Sequence, residues 1–210
     1  MNEKQIIEGI PKIVDNAEKI YADADLLREY GRYERAYSLF QLSIEEIAKA
    51  FMLSGTLIFE DLSSQEVQTR LKNDLKDHEM KSKKSIGLES IFYQFLKDIN
   101  IETYEELTIK SFKEYDSIRL LNEKKNAGFY TSFNGNKFQA PNELISKKDV
   151  NDIKTKAEFR IFLGKKIILA VSQRFDLIKD KIRELNFDIV ESSRLNVEEF
   201  KRIRNKYGIK

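Results

Sequence analysis

One histidine, His78, stands between two acids in Asp77-His78-Glu79, and any imidazole-based acid–base chemistry in this chain must use it or its copy in a second subunit. A second candidate is Lys125-Asn126-Ala127-Gly128-Phe129-Tyr130, which sets an ammonium, an amide and a phenol within six residues. An ammonium there is a point charge that can face an anion, although it lacks the bidentate fork of arginine. A phenol is a poor general base near neutrality and a better hydrogen-bond donor or acid. Residues five apart on a helix lie about 140° apart, so Lys125 and Tyr130 converge only across a frayed end at Gly128 or between two subunits. Arg119, Glu123, Asn126 and Tyr130 instead advance by four, three and four and form one polar stripe. The plainer alternative is a helix end whose tyrosine packs on Phe133 or Phe138.

Glu45, Glu46 and Lys49 form a third cluster at spacings of three and four. Either glutamate can pair with Lys49 as a solvated helical pair contributing about 0.3–0.5 kcal/mol. A two-metal carboxylate bundle needs Glu-x-x-His pairs, which are absent, so neither metal nor cofactor is assigned. With no cysteine there is no thiolate ligand, nucleophile or disulfide, and an intracellular setting is the natural reading. Net charge is only +2, with 37 basic and 35 acidic residues interleaved, so any nucleic-acid surface must be local. Lys81, Lys83 and Lys84 make one such basic patch, and Lys201, Arg202, Arg204 and Lys206 another, each equally readable as a solvated helix face. Phe129, Tyr130, Phe133 and Phe138 can stack bases or simply anchor their loop.

The elements that must position these groups are helical. Two prolines and eight glycines in 210 residues, with 34% charged, favour long amphipathic helices over a sheet with many turns. Ile6, Ile10, Ile13, Ala17, Ile20, Ala24 and Leu27 describe a first stripe, with Pro11 placing the helix start near Ile10 and Gly31 offering a C-cap. Tyr33, Ala36, Phe40, Ile44, Ile47 and Phe51 describe a second, to about Leu53. A short helix follows near Ser63 to Leu75, with Ser63 and Glu66 as a capping-box pair. Ile86–Ile99 and Glu105–Lys125 are predicted helices, Phe92, Phe95, Phe112 and Tyr115 feeding the core. Asn134-Gly135 between aromatic residues signals a hairpin or tight loop, closed by Pro141. Ser146 with Asp149 then caps the longest predicted helix, Val150 through Leu185, whose narrow stripe suits one partner helix or a second subunit. A helical domain over 1–186 and a basic extension over 187–210, with a short helix at Val197–Arg204, complete the reading. Met1 to Ile20, interrupted by Glu3, Glu8, Lys12, Asp15 and Glu18, is unlike an export signal, and no apolar run is long enough for a membrane span.

Asn16-Ala17, Ala24, Leu26-Leu27, Gly31-Arg32-Tyr33, Ala36 and Ile44-Glu45-Glu46-Ile47-Ala48-Lys49-Ala50 resemble the first two helices of AbiV-type abortive-infection proteins of the HEPN superfamily. Asp77-His78-Glu79-x-Lys81-x-Lys83 and Lys125 to Tyr130, followed by the aromatic turn ending at Pro141, recur in that family's order, so the resemblance spans about Asn16 to Ala170. It implies an all-α, HEPN-like bundle of long antiparallel helices with a loop or hairpin protruding near 130–141. It also implies a cytoplasmic homodimer that halts phage multiplication at the infected cell's expense.

Many HEPN ribonucleases carry Arg-(Asn/Asp)-x-x-x-His where this chain has Lys125 and Tyr130. The superfamily's reaction needs no metal: the RNA 2′-hydroxyl attacks the adjacent phosphate. The resemblance therefore implies an effector that cuts or clamps RNA through a dimer groove with Lys125, Asn126, Tyr130 and His78. Arg119, Glu123, Glu45, Glu46, Lys49 and Phe133 would line that groove. His78 is the missing proton carrier if it faces Tyr130 across it, and otherwise an exposed or structural residue. Loss of both motif ends keeps open a non-catalytic module, switched by a phage protein, that blocks a translation component.

Overall fold

The computed structural model describes residues 1–97, 99–184 and 189–209, with the side chains of 91, 92, 94, 95, 167, 171, 172, 179 and 181–197 outside that description. In chain order the elements are α1 (Glu3–Glu29), α2 (Tyr33–Phe59), α3 (Gln65–Asp74), α4 (His78–Lys97), α5 (Ile101–Asp116), α6 (Ile118–Ala127), β1 (Ser132–Phe133), β2 (Phe138–Gln139), α7 (Pro141–Leu144), α8 (Lys147–Gln173), α9 (Phe175–Glu184) and α10 (Ile189–Lys206). The all-α architecture is the expected one.

Helix α1 begins at Glu3, seven residues before the position that Pro11 suggests. A capping box explains the early start: the Asn2 side chain accepts from the Gln5 N–H (2.9 Å), and the Gln5 side chain accepts from the Asn2 N–H (2.9 Å). Burial of Ile6 and Ile10 in the core offsets the hydrogen bond that Pro11 cannot donate. Gly31, at φ 73°, ends the helix as a left-handed cap, the Arg32 N–H donating back to the Leu27 carbonyl at 2.9 Å.

Helix α2 is the hub of the fold, packing against α1, α4, α6 and α8. Its apolar face divides between two core clusters. One joins Ile47, Ala50, Leu53 and Leu57 to Ile6, Ile10, Val14 and Ala17 of α1 and to Ile161 and Ile168 of α8. The other joins Ala36, Tyr37, Phe40 and Ile44 to Ala24, Val150, Ile153 and Ala157. The α8 stripe is thus occupied within the chain and by itself supplies no argument for a second subunit. Helix α10 docks elsewhere, Ile203 packing with Tyr93 and Tyr104.

Several boundaries differ from the periodicity. Ser64, not Ser63, caps α3, because Ser63 turns its hydroxyl and N–H to Asp61. Helix α4 starts eight residues earlier than Ile86, since Asp77 accepts from the Met80 N–H (3.0 Å) and opens the helix at His78. The predicted Glu105–Lys125 helix is two helices meeting at Ser117, and the predicted last long helix breaks at Arg174. Neither break carries Gly or Pro. α10 starts eight residues before the expected Val197 and ends two after Arg204. The Asn134-Gly135 signal is a true antiparallel hairpin, Ser132 opposite Gln139 and Phe133 opposite Phe138, its turn held by the Asn134 side chain accepting from the N–H groups of Asn136 and Lys137. The side chains of Phe92 and Phe95, and residue Leu185, lie outside the described residues.

Candidate functional site

On α2, Gln41 and Glu45 stand one turn apart on the face toward α4, and both are buried. The opening of α4 at His78 sets His78, Lys81 and Ser82 against that face. Helix α6 arrives from the other side and ends with Lys125 pointing inward. Ser38 holds this end in place, its hydroxyl donating to the Lys125 carbonyl at 2.6 Å. Gly128, directly after α6, has no room for a side chain: a Cβ there would lie 2.0 Å from the Ser38 hydroxyl and 2.3 Å from the Glu34 carbonyl oxygen.

These elements bring three basic groups onto one carboxylate. Lys125 Nζ donates to Glu45 Oε1 at 2.8 Å, Lys81 Nζ lies 3.4 Å from Oε2, and His78 Nδ1 is hydrogen-bonded to the same Oε2. Glu45, Lys81 and Lys125 have side chains at most 6% exposed, whereas His78 is 51% exposed. The imidazole is therefore pinned through Nδ1 and presents its other edge to solvent. Two buried ammonium groups face one buried carboxylate, a surplus of positive charge in a setting where unmatched charge is costly.

The remaining sequence candidates lie elsewhere. Glu46 and Lys49 pair with each other on the outer side of α2. Arg119 and Glu123 form an exposed i,i+4 pair at 3.1 Å on α6. Asn126 is exposed, and its carbonyl accepts from the N–H groups of Phe129 and Tyr130 (3.1 and 3.3 Å). Tyr130 is 70% exposed beside Phe129, and Phe133 is exposed against the Phe138 ring, 5.1 Å between centroids. Within one chain, then, Lys125 turns inward and Tyr130 outward, and His78 meets Lys125 through Glu45 rather than meeting Tyr130.

Sequence reasoning missed Lys81 as a member of this cluster, and it missed a second buried polar centre behind it. Arg160 of α8, 1% exposed, donates to Glu89 Oε1 (2.9 Å), to the Ser85 hydroxyl (3.0 Å) and to Glu114 Oε1 (2.8 Å). Lys156 Nζ donates to the other Glu114 oxygen at 2.9 Å, and the Tyr93 hydroxyl donates to Glu89 at 3.2 Å. Burial alone would lower the arginine's pKa, but the two carboxylates outweigh it and raise the value further; Glu114 is correspondingly lowered despite its own burial. The two centres are bridged along α4, Gln41 Nε2 donating to the Ser82 hydroxyl and the Ser85 hydroxyl to the Ser82 carbonyl. A signal for this existed: Ser82, Ser85, Glu89 and Tyr93 recur by three and four, a polar row where α4 needs a core face.

A family model described as AbiV, of the HEPN group, matches residues 5–160, well over half of the chain. No curated protein and no solved structure matches.

Proposed function

We propose, from the premise that this chain belongs to the AbiV family of HEPN proteins, that its abortive-infection, anti-phage role is carried out by metal-independent cleavage of RNA at the His78 edge of the Glu45 cluster. The observation that carries this reading is Glu45 itself, which fixes His78 through Nδ1 while Lys81 and Lys125 surround it with positive charge. A carboxylate on one imidazole nitrogen sets the tautomer and aims the other, the arrangement that makes a histidine an effective proton carrier. In the reaction, His78 Nε2 takes the proton of the RNA 2′-hydroxyl, the O2′–P bond forms, and the P–O5′ bond breaks. The products are a 2′,3′-cyclic phosphate and a 5′-hydroxyl. The leaving oxygen receives its proton from Tyr130, whose exposed phenol reaches the site from a second copy in a homodimer. Lys125 is a positioning residue: it keeps Glu45 in place from beneath. Arg119, Asn126 and Phe133 supply the surface along which the strand lies, with aromatic rings for base stacking.

The test is purified protein with end-labelled cellular RNA in EDTA, beside His78→Ala, Lys125→Ala and Tyr130→Phe. Cleavage that survives chelation, leaves cyclic phosphate ends and disappears in His78→Ala is the expected result. Cleavage unchanged in His78→Ala, or none even with phage lysate added, overturns it. Light scattering that reports a monomer removes Tyr130 from the reaction.

The exposed rings of Tyr130, Phe133 and Phe138 favour a second reading, in which the hairpin docks a phage activator protein and the complex blocks translation without cleavage. Protection lost on Phe133→Ser and Phe138→Ser together, but retained in His78→Ala, selects it. Either reading places the action in the cytoplasm, and no helix among the described residues is long and apolar enough to cross a membrane.

A further inference from the structure

The two ammonium groups of the Glu45 cluster are not equivalent. Lys125 Nζ donates to Glu45 Oε1 at 2.8 Å, and its backbone is fastened to the Ser38 hydroxyl, so it is closed in beneath the carboxylate. Lys81 Nζ lies 3.4 Å from Oε2 and makes no hydrogen bond among the described residues. Its side chain is 6% exposed, and the nitrogen keeps a face to solvent, whereas the unmatched polar atoms of Ser54, Ser111 and Asn122 are sealed. His78 and Lys81 stand three apart on the first turn of α4, on one face, and both approach the same oxygen, Oε2. A half-exposed imidazole edge and an ammonium with donors to spare therefore open onto one spot.

Charge says what can occupy that spot. Asp77 accepts from the Met80 N–H at 3.0 Å, and neither it nor Glu79 lies within ion-pair distance of Lys81. With His78 neutral, Lys81 and Lys125 against Glu45 leave the cluster a single positive charge in excess, held where unmatched charge is costly. A monoanion cancels it. An internucleotide phosphate carries one negative charge, whereas a terminal phosphate carries about −1.5 to −2 at neutral pH.

We propose, resting on the RNA-cleaving reading of this site, that Lys81 is the residue that takes the phosphate, its ammonium holding a non-bridging oxygen of the scissile phosphodiester beside His78. When His78 Nε2 removes the 2′-hydroxyl proton and the O2′–P bond forms, the phosphorane gains a second negative charge and the imidazole a positive one. The protein groups then sum to two positive charges against the two on the phosphorane, and Lys81 is the ammonium that faces the added charge. Lys81 is thereby a catalytic residue, and Lys125 remains the one that positions Glu45.

His78 is the chain's only histidine, so its imidazole C–H signals are an unambiguous NMR probe of the site. The full chain is titrated with a 2′-deoxy oligonucleotide, which offers the phosphodiester but lacks the attacking hydroxyl, and separately with inorganic phosphate. A saturable shift of the His78 signals by the oligonucleotide is expected in the parent and in Lys81→Arg, with affinity lower by about tenfold or more in Lys81→Met. No saturable shift, or equal affinity in Lys81→Met, overturns the contact. So does a shift produced by inorganic phosphate and not by the oligonucleotide, because the cation would then serve a free phosphate. Cleavage is the second arm: Lys81→Met is expected to slow single-turnover cleavage by about 100-fold or more, and Lys81→Arg to retain most of the rate. The parent is also expected to prefer one of the two phosphorothioate diastereomers at the scissile linkage, a preference that a merely structural lysine would not set and that Lys81→Met loses. Lys81→Met cleaving at the parent's rate with the parent's preference overturns the proposal and leaves the His78 reading standing. A parent that does not cleave removes that reading instead, and the titration alone then decides whether Lys81 holds the phosphodiester.

Discussion

The two polar centres inside the bundle are near inversions of one another. At Glu45 one carboxylate gathers two ammonium groups and an imidazole, and the imidazole is half exposed. At Arg160 one guanidinium gathers two carboxylates and a serine hydroxyl, with Lys156 balancing the second acid. The Arg160 centre is charge-matched and its guanidinium is shut away from water, so it can only hold α4, α5 and α8 in register. The Glu45 centre is unmatched and reaches the surface. Stoichiometry and exposure together thus distinguish the Glu45 centre, as the candidate site, from the matched network at Arg160.

The largest effect that would sharpen this contrast is at the closed centre. Arg160→Met strands Glu89 and Glu114 without their guanidinium and is expected to cost about 3–5 kcal/mol, read as a shift in the urea midpoint. A loss below about 1 kcal/mol would mean the network relaxes around water and is not what registers the helices. At the open centre, Glu45→Gln keeps the shape and one acceptor but removes the charge. It is expected to cost about 2–3 kcal/mol and to abolish RNA cleavage, whereas His78→Ala abolishes cleavage with the urea midpoint nearly unmoved.

A fourth carboxylate, Glu105, extends the comparison to the carboxyl-terminal helix. Glu105 accepts from Lys206 Nζ (2.6 Å), the Tyr207 hydroxyl (2.7 Å) and Arg202 (3.2 Å), tying the end of α10 to α5. The hydrogen bonds from Lys206 and then Tyr207 hold its carboxyl at about 2, below its ordinary 4.5. A depressed carboxyl contributes fully above the ordinary value and loses that contribution as pH falls toward the folded one. Amide exchange in the last turns of α10 is therefore expected to accelerate between pH 4.5 and about 2, ahead of α2, and Glu105→Gln should reproduce this at neutral pH. Equal protection of both helices through the acid range would show that Ile203, not the ion cluster, holds α10 down.

The smallest effect is the most telling one for surplus charge. Lys81→Met leaves Glu45 paired with Lys125 and His78, and is expected to change stability by no more than about 1 kcal/mol, in the stabilising direction. A loss as large as that of Arg160→Met would show the two centres to be equivalent after all.

Much of the scaffold was legible because periodicity reports which face is buried. The α1 and α2 stripes, the Asn134-Gly135 hairpin and the Ser146–Asp149 cap all follow from local chemistry. The start at Asn2 is masked by Pro11, which by itself marks a first helical turn, and the breaks at Ser117 and Arg174 carry no local breaker and follow from tertiary packing. The site was legible by residue type but not by partnership. His78, Glu45 and Lys125 stood out, yet their meeting depends on three helices far apart in the chain. Lys81 read as one lysine of a solvated patch because the neighbouring Lys83 and Lys84 are on the accessible side of α4. Arg160 was hidden for the opposite reason: it interrupts the apolar steps Ile153, Ala157 and Gly164, and a charge on a core stripe is easily passed over as an exception.

The wide separation of those helices also sets when the Glu45 cluster can form. Glu45 and Lys125 are 80 residues apart, and Glu45 and His78 are 33 apart. During synthesis α1 and α2 leave the ribosome first, and chains fold from that end as they emerge. Until α6 follows, Glu45 lacks the ammonium that holds it and His78 has no fixed aim. The cluster thus cannot assemble until more than half of the chain has been made, and an amino-terminal fragment that stops before α6 cannot carry it.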